Sequence, residues 1–337
     1  MKVQNQTNNI TDQFGRVHDY LRISLTERCN LRCFYCMPEE GIPLREKSEF
    51  MSTEETLTIA KTFVSMGVKK IRLTGGEPLI KKNIAQIIHE LSKLPVELAI
   101  TTNGILIDQY LNDFKSAGLK SINVSLDSLN AQNFEKISRR NYFSRIMNNI
   151  DLLIQHGFNT KVNVVVMRGI NDHEIFDFVN WTKDKNVQVR FIEFMPFDGN
   201  KWNWEKKVSY REIIESLQLY FGEENIIATE SKPNDTCRNF KLKDASGNFG
   251  IIASVTNPFC DTCNRIRLTA DGKIKNCLFS QSETDLLGAL RNHEDIRPLI
   301  LDSIYSKKKM RSGVDSFEDP DALKILSSNR TMTSIGG

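Results

Sequence analysis

Residues 19–36 read "DYLRISLTERCNLRCFYC", and they contain both the first strand of the chain and a group of three cysteines. The β-branched and apolar run 21–26 predicts a strand. The polar segment after it carries Cys29, Cys33 and Cys36 in the spacing C-x3-C-x2-C. An amphipathic stretch of helical period follows, so the sequence predicts a unit of strand, cysteine-bearing loop and helix.

The same order of strand and helix recurs along the first two thirds of the chain. Further strands are predicted at 69–75, 96–102, 121–127, 161–167 and 187–194. Amphipathic helices are predicted at 53–65, 83–93, 108–117, 145–156 and 174–183. This alternation indicates an α/β fold with a parallel sheet and right-handed crossovers. A partial barrel and a doubly wound sheet both remain open, and either would collect its chemistry at the carboxyl ends of the strands.

The charge of the chain is nearly balanced, with 45 basic and 42 acidic residues among 337. This balance argues against bulk binding of nucleic acid or of a membrane surface. No apolar run approaches the ~18 residues of a membrane span, and the polar N-terminus lacks the apolar centre of a signal peptide. We therefore expect a cytoplasmic protein, in whose reducing compartment seven cysteines indicate metal or cluster ligation rather than disulfides.

The pattern changes in the last third of the chain, where the regular alternation ends. The segment 266–279, "IRLTADGKIKNCLF", predicts a β-hairpin with a two-residue turn at 271–272. That turn sets Ile266 opposite Cys277 and returns Cys277 towards the two cysteines that precede the hairpin. The segment 306–313, "SKKKMRSG", is expected to be a solvated basic run.

Six of the seven cysteines form two groups, which we call the first trio (Cys29, Cys33, Cys36) and the second trio (Cys260, Cys263, Cys277). A structural zinc site normally closes with four protein ligands, and no histidine lies beside either trio. A four-iron cluster on three cysteines would leave one iron open to a small molecule. Zinc remains the alternative for each trio. The seventh cysteine, Cys237, is predicted to be a small buried hydrophobic residue.

Two motifs together indicate what the first trio holds. Its spacing, with Tyr35 before the last cysteine, is followed one strand and helix later by "GGEP" at 75–78. This combination resembles the radical S-adenosylmethionine (SAM) superfamily. The resemblance implies a [4Fe–4S] cluster on the first trio, with SAM bound at the open iron. It also implies that SAM contacts four residues: Tyr35, Gly76, Ser125 and Met195.

A longer series of motifs resembles the GTP 3′,8-cyclase family, whose reaction starts molybdenum cofactor biosynthesis. The series includes "TTNG", "INVSLD", "RFIEFMPF", "FCDTCNRIRLTADG" and the terminal "IGG". The family fold is an incomplete (β/α)6 TIM-type barrel, here assigned to 19–220 after a polar N-terminal segment at 1–18. A C-terminal α+β domain at 221–337 would hold a second [4Fe–4S] cluster on the second trio and would end in a Gly-Gly tail.

The resemblance also implies a reaction and the residues that serve it. A 5′-deoxyadenosyl radical would remove hydrogen from C3′ of GTP, and C3′ would attack C8 of the guanine bound at the second cluster. The implied GTP contacts are Arg22, Arg72, Thr101, Lys161, Arg265 and Arg267. The implied catalytic residues are Arg265, Arg267, Gly336 and Gly337. Surface ion pairs for the cations on the strands and a frayed tail for the glycines are the competing interpretations.

The same resemblance implies several partners besides GTP. They are an external reductant such as flavodoxin or ferredoxin, a downstream cyclic pyranopterin monophosphate synthase and a second copy in a homodimer, with no nucleic acid or membrane. Two other functions remain open: a radical SAM peptide maturase with an auxiliary cluster, and a zinc-stabilised nucleotide-binding protein without radical chemistry.

Overall fold

The computed structural model of the chain describes residues 9–37, 40–43, 45–198, 200, 202–230, 234–314 and 329–336. The described strands are β1 Tyr20–Ser24, β2 Lys70–Thr74, β3 Glu97–Thr102, β4 Ser121–Ser125, β5 Asn159–Val166, β6 Gln188–Glu193, β7 Ile226–Ala228, β8 Arg238–Leu242, β9 Asn248–Ile252, β10 Arg265–Leu268, β11 Lys273–Lys275 and β12 Thr284–Asp285. The described α-helices are α1 Thr53–Ser65, α2 Ile84–Ser92, α3 Ile107–Ser116, α4 Ala131–Ser138, α5 Phe143–Gln155, α6 Ile175–Asp184, α7 Tyr210–Phe221, α8 Leu286–Arg291, α9 Ile296–Tyr305 and α10 Met332–Ile335. Within these ranges, no helix has both the length and the apolar character that crossing a membrane requires.

The described strands form one sheet, in the order β12-β11-β10-β1-β2-β3-β4-β5-β6-β9-β8-β7. Strands β1 to β6 are parallel neighbours in sequence order, and β10 and β9 extend the parallel block at its two edges. The predicted α/β fold with a large parallel sheet is confirmed. The order contains no reversal at a switch point among β1 to β6, so the doubly wound alternative is wrong.

The two faces of the sheet differ because successive residues of a strand point to opposite sides. On β1, Leu21 and Ile23 are fully buried in the main hydrophobic core, to which α1 contributes Phe63. Arg22 lies between them in sequence and belongs to the opposite face, which we call the inner face. On β5, Val162 alternates in the same way with more exposed polar neighbours. Helices therefore cover an apolar outer face, and the inner face can carry polar side chains.

Local signals in the sequence locate several helix ends correctly. The S-x-x-E spacing of Ser52 with Glu55 and of Ser209 with Glu212 predicts capping boxes, and the structure shows them at the starts of α1 and α7. Glycines that follow the amphipathic stretches predict helix ends, and three of them have a positive φ: Gly67, Gly118 and Gly157. Helix α4 was missed by the pattern because its eight residues span barely two turns.

The hairpin of β10 and β11 is shifted by one residue from its prediction. Arg267 pairs with Lys275, so the predicted pairing of Ile266 with Cys277 is wrong. The physical reason is the turn, which contains three residues rather than two and ends at Gly272 with φ of +72°. A three-residue hairpin turn with glycine in the left-handed region is a common alternative to the two-residue form.

The basic run near the C-terminus is not uniformly solvated, so that prediction is wrong for two of its members. Lys307 is only 3% exposed and Arg311 only 8% exposed, whereas Lys308 and Lys309 face solvent. Lys307 lies just after α9, where its backbone N–H donates to Ile304 O at 3.0 Å. Tertiary contacts bury these two cations, and nothing in the local sequence distinguishes them from their neighbours.

A buried polar network orders the described part of the N-terminal segment. The Asp12 carboxylate accepts a hydrogen bond from Arg16 Nε at 2.6 Å, and its Oδ2 lies 3.0 Å from His18 Nε2. Burial lowers the pKa of His18 from 6.5 to about 4, and the charge of Lys307 acts in the same direction. Asp12 opposes this shift and Arg16 adds to it, so His18 is neutral in the folded protein near pH 7.

We expect this histidine to make the protein less stable as the pH falls. The unfolded chain takes up a proton near pH 6.5, whereas folded His18 resists protonation until about pH 4. The contribution of His18 to the free energy of unfolding is therefore present above pH 6.5 and is lost progressively below it. At pH 5.5 the loss is about 1.4 kcal/mol. Urea unfolding of the unmodified protein and of His18→Gln, each at pH 7.5 and pH 5.5, measures this loss. An equal loss in both proteins would contradict the assignment.

Candidate active site

The inner face carries a group of cationic side chains, which we call the basic chamber. Its members are Arg22, Arg72, Lys161, Arg190, Arg265 and Arg267. The strand register places Arg22 directly beside Arg267 on one neighbour and beside Arg72 on the other. Like charges opposite one another on adjacent strands destabilise a sheet. Such a row therefore indicates a site for an anionic ligand that offsets the repulsion.

Burial and mutual repulsion lower the pKa values of these cations. Burial, together with Arg22 and Arg265, lowers the pKa of Arg267 to about 9. Burial, together with Arg190 and Arg72, lowers the pKa of Lys161 to about 8, although Asp235 opposes the shift. An anion in the chamber would favour the charged forms of both side chains.

Neutral groups satisfy part of the donor capacity of the chamber. Arg72 donates from Nη1 to Ile100 O at 2.8 Å and from Nε to Tyr20 Oη at 2.5 Å. Arg190 donates from Nη2 to Asn163 Oδ1 at 2.6 Å, while its buried Nε has no partner among the described residues. A buried donor without a partner is costly, so this atom is available to a ligand.

Tyr20 adds a titratable hydroxyl to the same chamber. Burial acts to raise the pKa of Tyr20, but Arg72, Arg22 and Lys70 outweigh it and lower the pKa to about 7. The phenol can therefore exchange a proton near neutral pH. Sequence reasoning missed Tyr20, which lies one residue before the predicted first strand.

A cavity beside the first trio lies where several strands end. Cys33 and Cys36 line it, together with the four predicted SAM contacts Tyr35, Gly76, Ser125 and Met195. The predicted GTP contact Thr101 lines it as well, and α10 contributes Met332 and Thr333. The structure therefore brings residues from both ends of the chain into one cavity, at the carboxyl end of the parallel sheet.

The glycine-rich element holds the residues that lead into the first trio. Gly76 N donates to Thr26 O at 2.7 Å, and Glu77 N donates to Arg28 O at 2.8 Å. A Cβ atom on Gly76 would lie 2.3 Å from Arg28 O, so no side chain fits there. The backbone of 75–77 thus fixes the approach of the chain to Cys29.

Glu77 positions a donor against the first sulfur of the trio. Its buried carboxylate accepts hydrogen bonds from Asn103 N at 2.6 Å and from Thr102 Oγ1 at 2.7 Å. Burial raises the pKa of Glu77 to about 7, although these hydrogen bonds oppose the shift. Asn103 Nδ2 in turn donates to Asn30 Oδ1 at 2.7 Å and lies 3.7 Å from Cys29 Sγ.

The second trio comes together at the start of β10. A tight turn joins two of its members, since Cys263 N donates to Cys260 O at 3.1 Å. The antiparallel register of β10 and β11 returns Cys277 towards the start of β10 despite the one-residue shift, and both Cys277 and Cys263 act electrostatically on Cys260. Burial acts to raise the pKa of Cys263, but Arg265 and Lys307 outweigh it and lower the pKa to about 6.

The C-terminal tail is anchored beside these groups rather than frayed over residues 329–336. Arg330 donates to both carboxylate oxygens of Asp271, at 3.0 and 2.9 Å, and to Glu283 at 2.7 Å. Ile335 is buried in a small apolar cluster against which Cys277 packs. These contacts set the position of the last described residue.

Gly336 lies at the edge of the basic chamber. Arg267 Nη1 donates to Gly336 O at 2.6 Å. A Cβ atom on Gly336 would lie 2.6 Å from Thr74 Oγ1 and 2.8 Å from Ser24 Cβ, and its φ of +85° also favours glycine. The other predicted tail residue, Gly337, lies outside the described residues.

The thiol donors of both trios are of the type that iron–sulfur clusters take. Over the ranges that the structure describes, no three His, Cys, Asp or Glu side chains are placed to hold one metal ion. In the first trio, burial, Asp127 and the two other thiols raise the pKa of Cys33 well above its usual range. Cys237 is buried as predicted and belongs to neither trio.

Several residues of the site were not singled out by sequence reasoning. Arg190 lies in a predicted strand, where alternation alone would have placed it on the inner face. Asp127, by contrast, ends a predicted strand and is among the residues that the strand-end rule nominates; it accepts a hydrogen bond from Tyr35 Oη at 2.7 Å and another from Val165 N at 2.9 Å, which orients the aromatic ring beside the trio. Lys307 gave no signal, because its burial depends on contacts between distant segments.

Family models match the chain in two adjoining parts. Residues 23–182 match the radical SAM superfamily, which implies a [4Fe–4S] cluster and SAM. Residues 187–312 match the Molybdenum Cofactor Synthesis C family. The Streptococcus suis protein SuiB, in a crystal structure with its precursor peptide SuiA, superposes with a TM-score of 0.62 over 95% of this chain and 72% of that one. At 16% identity, this likeness shows the fold alone.

Related proteins cover nearly the whole chain. The mitochondrial GTP 3′,8-cyclase of Arabidopsis thaliana is 47% identical over 97% of this chain and 83% of its own length. The GTP 3′,8-cyclase of Peptoclostridium acidaminophilum is 43% identical over 97% of this chain and 98% of its own. Molybdenum cofactor biosynthesis protein 1 of Drosophila melanogaster is 45% identical over 92% of this chain, which spans only 56% of that longer relative. The chain therefore belongs to the GTP 3′,8-cyclase family of radical SAM proteins.

Proposed function

We propose that this protein is a GTP 3′,8-cyclase that catalyses the first step of molybdenum cofactor biosynthesis. It would convert GTP to (8S)-3′,8-cyclo-7,8-dihydroguanosine 5′-triphosphate, after hydrogen is removed from C3′ and C3′ bonds to C8. The observation that carries the proposal is the row of Arg267, Arg22 and Arg72, whose unusual register suits a polyphosphate. This row lies on the same sheet as the cavity of the first trio.

The proposed site has two ends, and different residues serve each of them. The first trio would hold a [4Fe–4S] cluster and leave one iron for SAM, with Tyr35, Gly76, Ser125 and Met195 around it. When bound, this cluster supplies the electron that cleaves SAM to methionine and a 5′-deoxyadenosyl radical.

The basic chamber would bind the triphosphate of GTP. Arginine forks form bidentate, charge-assisted hydrogen bonds with phosphate oxygens, which suits Arg22, Arg72 and Arg267. Lys161 would add a point charge on the same face, and Thr101 would contact the substrate from the cavity side. Arg190, whose Nε lacks a described partner, joins this set as an addition to the sequence-based list.

The second trio would hold a second [4Fe–4S] cluster whose open iron binds the edge of the guanine. The register of β10 and β11, which returns Cys277 towards the start of the strand that follows Cys260 and Cys263, supports this assignment. Arg265 and Gly336 would complete the site. Residues 19–220 would form an incomplete (β/α)6 barrel, and residues 221–337 would form a C-terminal cluster and GTP-binding domain. An external one-electron reductant, a downstream pterin synthase and a homodimer belong to the same proposal.

The decisive experiment is an anaerobic assay of the reconstituted, reduced protein with SAM and GTP. We expect 5′-deoxyadenosine and the cyclised nucleotide, because the chamber would bind the triphosphate and the second cluster would bind the guanine edge. ATP and CTP are the matched controls, and 5′-deoxyadenosine that rises equally with them would reject GTP as the substrate. Iron analysis accompanies the assay: two four-iron clusters give about eight irons per chain. Four irons with one zinc would eliminate the second cluster.

A further inference from the structure

Lys307 lies against a sulfur of the second trio, although it is 44 residues away from Cys263 in sequence. Its Nζ donates to Cys263 Sγ at 3.5 Å and to Arg265 O at 3.1 Å. The side chain is almost fully buried, so water does not screen this contact. A lysine ammonium is thereby held in hydrogen-bonding contact with a proposed cluster ligand.

The N-terminal segment keeps Lys307 in this place. Arg16 donates from Nη1 to Cys260 O at 2.7 Å and to Lys309 O at 2.8 Å, and from Nη2 to Lys308 O at 3.0 Å. One guanidinium thus joins the turn of the second trio to the segment that follows Lys307. Asp12 holds that guanidinium at 2.6 Å.

A second contact fixes the backbone of the lysine itself. Gln13 Nε2 donates to Lys307 O at 3.2 Å, and Lys307 N donates to Ile304 O at the end of α9. Both main-chain groups of the residue are therefore bonded to ordered elements. An ammonium on such a fixed backbone cannot move to solvent without breaking its bonds to Cys263 Sγ and Arg265 O.

We propose that Lys307 is a positioning residue that raises the reduction potential of the second cluster through its hydrogen bond to Cys263 Sγ. The inference rests on the proposed function, since it requires a [4Fe–4S] cluster on the second trio. Reduction adds one negative charge to a cluster, and a cationic donor to a ligand sulfur stabilises that added charge. Arg265, a proposed GTP contact, also acts on Cys263. Substitution of Lys307 removes the lysine charge and leaves the substrate-binding arginines in place, so the two effects can be measured separately.

The test is an EPR-monitored redox titration of the full-length holoprotein. In Lys307→Met we expect the reduction equilibrium of the second cluster to shift at least tenfold towards the oxidised form, which is about 59 mV for one electron. Added SAM identifies the signal of the first cluster, whose potential should not change and serves as an internal control. Lys307→Arg should restore most of the shift, because it returns a cation. Lys309→Met, an exposed lysine of the same segment, should leave both potentials unchanged.

Each outcome decides the inference separately from the proposed function. If the unmodified protein carries only four irons, the second cluster itself is wrong. If it carries about eight and the Lys307→Met potential equals that of the unmodified protein, the tuning role is wrong. A shift of equal size in Lys309→Met would also overturn it. If Lys307→Met and Lys307→Arg both lose the second cluster, the residue holds the cluster rather than tunes it, and the inference fails.

Discussion

Replacing Arg267 by alanine is expected to lower kcat/KM for GTP by about a hundredfold. The side chain is half-buried in the basic chamber beside Arg22 and donates to Gly336 O at 2.6 Å. The substitution would remove a charge-assisted contact to the substrate and would also release the tail. Truncating one member of a buried, hydrogen-bonded charge pair costs about 3 kcal/mol, which corresponds to about a hundredfold in rate.

The measurement is steady-state formation of 5′-deoxyadenosine and cyclised nucleotide, with iron content determined on the same samples. The kcat/KM of Arg267→Lys should fall between those of the unmodified protein and of Arg267→Ala, because lysine keeps the charge and loses the planar fork. Arg297→Ala, on the exposed side of α9, should leave kcat/KM and iron unchanged. Unchanged turnover in Arg267→Ala would remove this residue from the site. Arg265→Ala should also weaken turnover, but its side chain contacts Cys263, so Arg267 is the cleaner test.

Gly76→Ala is expected to have the second large effect, the loss of the first cluster. The new Cβ would lie 2.3 Å from Arg28 O and 2.6 Å from Glu27 O, which are backbone atoms that cannot move aside alone. Relief of this clash would displace the backbone just before Cys29. Overpacking of this kind costs about 3 kcal/mol or more. We therefore expect SAM cleavage below about 1% of the unmodified rate, because the ligand loop and the cavity wall shift together.

The readouts are iron content, the SAM-dependent change in the EPR signal and the total 5′-deoxyadenosine formed, whichever nucleotide is present. Gly118→Ala is the matched control, since nothing lies within 4 Å of its Cβ position and only its φ of +63° opposes alanine. That control should lose about 1 kcal/mol of stability and keep both clusters. A Gly76→Ala protein with full iron and normal SAM cleavage would show that the close approach at this position is unnecessary.

The regular part of the fold could be predicted because its signals are local. Alternating apolar residues located β1 to β6, and capping boxes such as Ser52 with Glu55 located helix ends. Cysteine spacing, the "GGEP" element and the terminal glycines identified the family from the same kind of short-range pattern. The hairpin shows the limit of such signals. "ADG" permits both two-residue and three-residue turns, and only the packed strand pairing selects the register with Arg267 beside Lys275.

The candidate site, like the fold, could be predicted only in part from local signals in the sequence. The sequence alone determined which residue types are present and which strand ends they follow, and this was enough to nominate the two trios. Most of the basic chamber was nominated by the resemblance of its motifs to the cyclase family. Only the tertiary structure decided that Arg267, Arg22 and Arg72 lie side by side, that Tyr20 shares their chamber, and that Arg16 and Lys307 reach the second trio. The physical reason is that burial, charge coupling and hydrogen bonds between segments 244 residues apart in sequence depend on the packed chain and not on any local pattern.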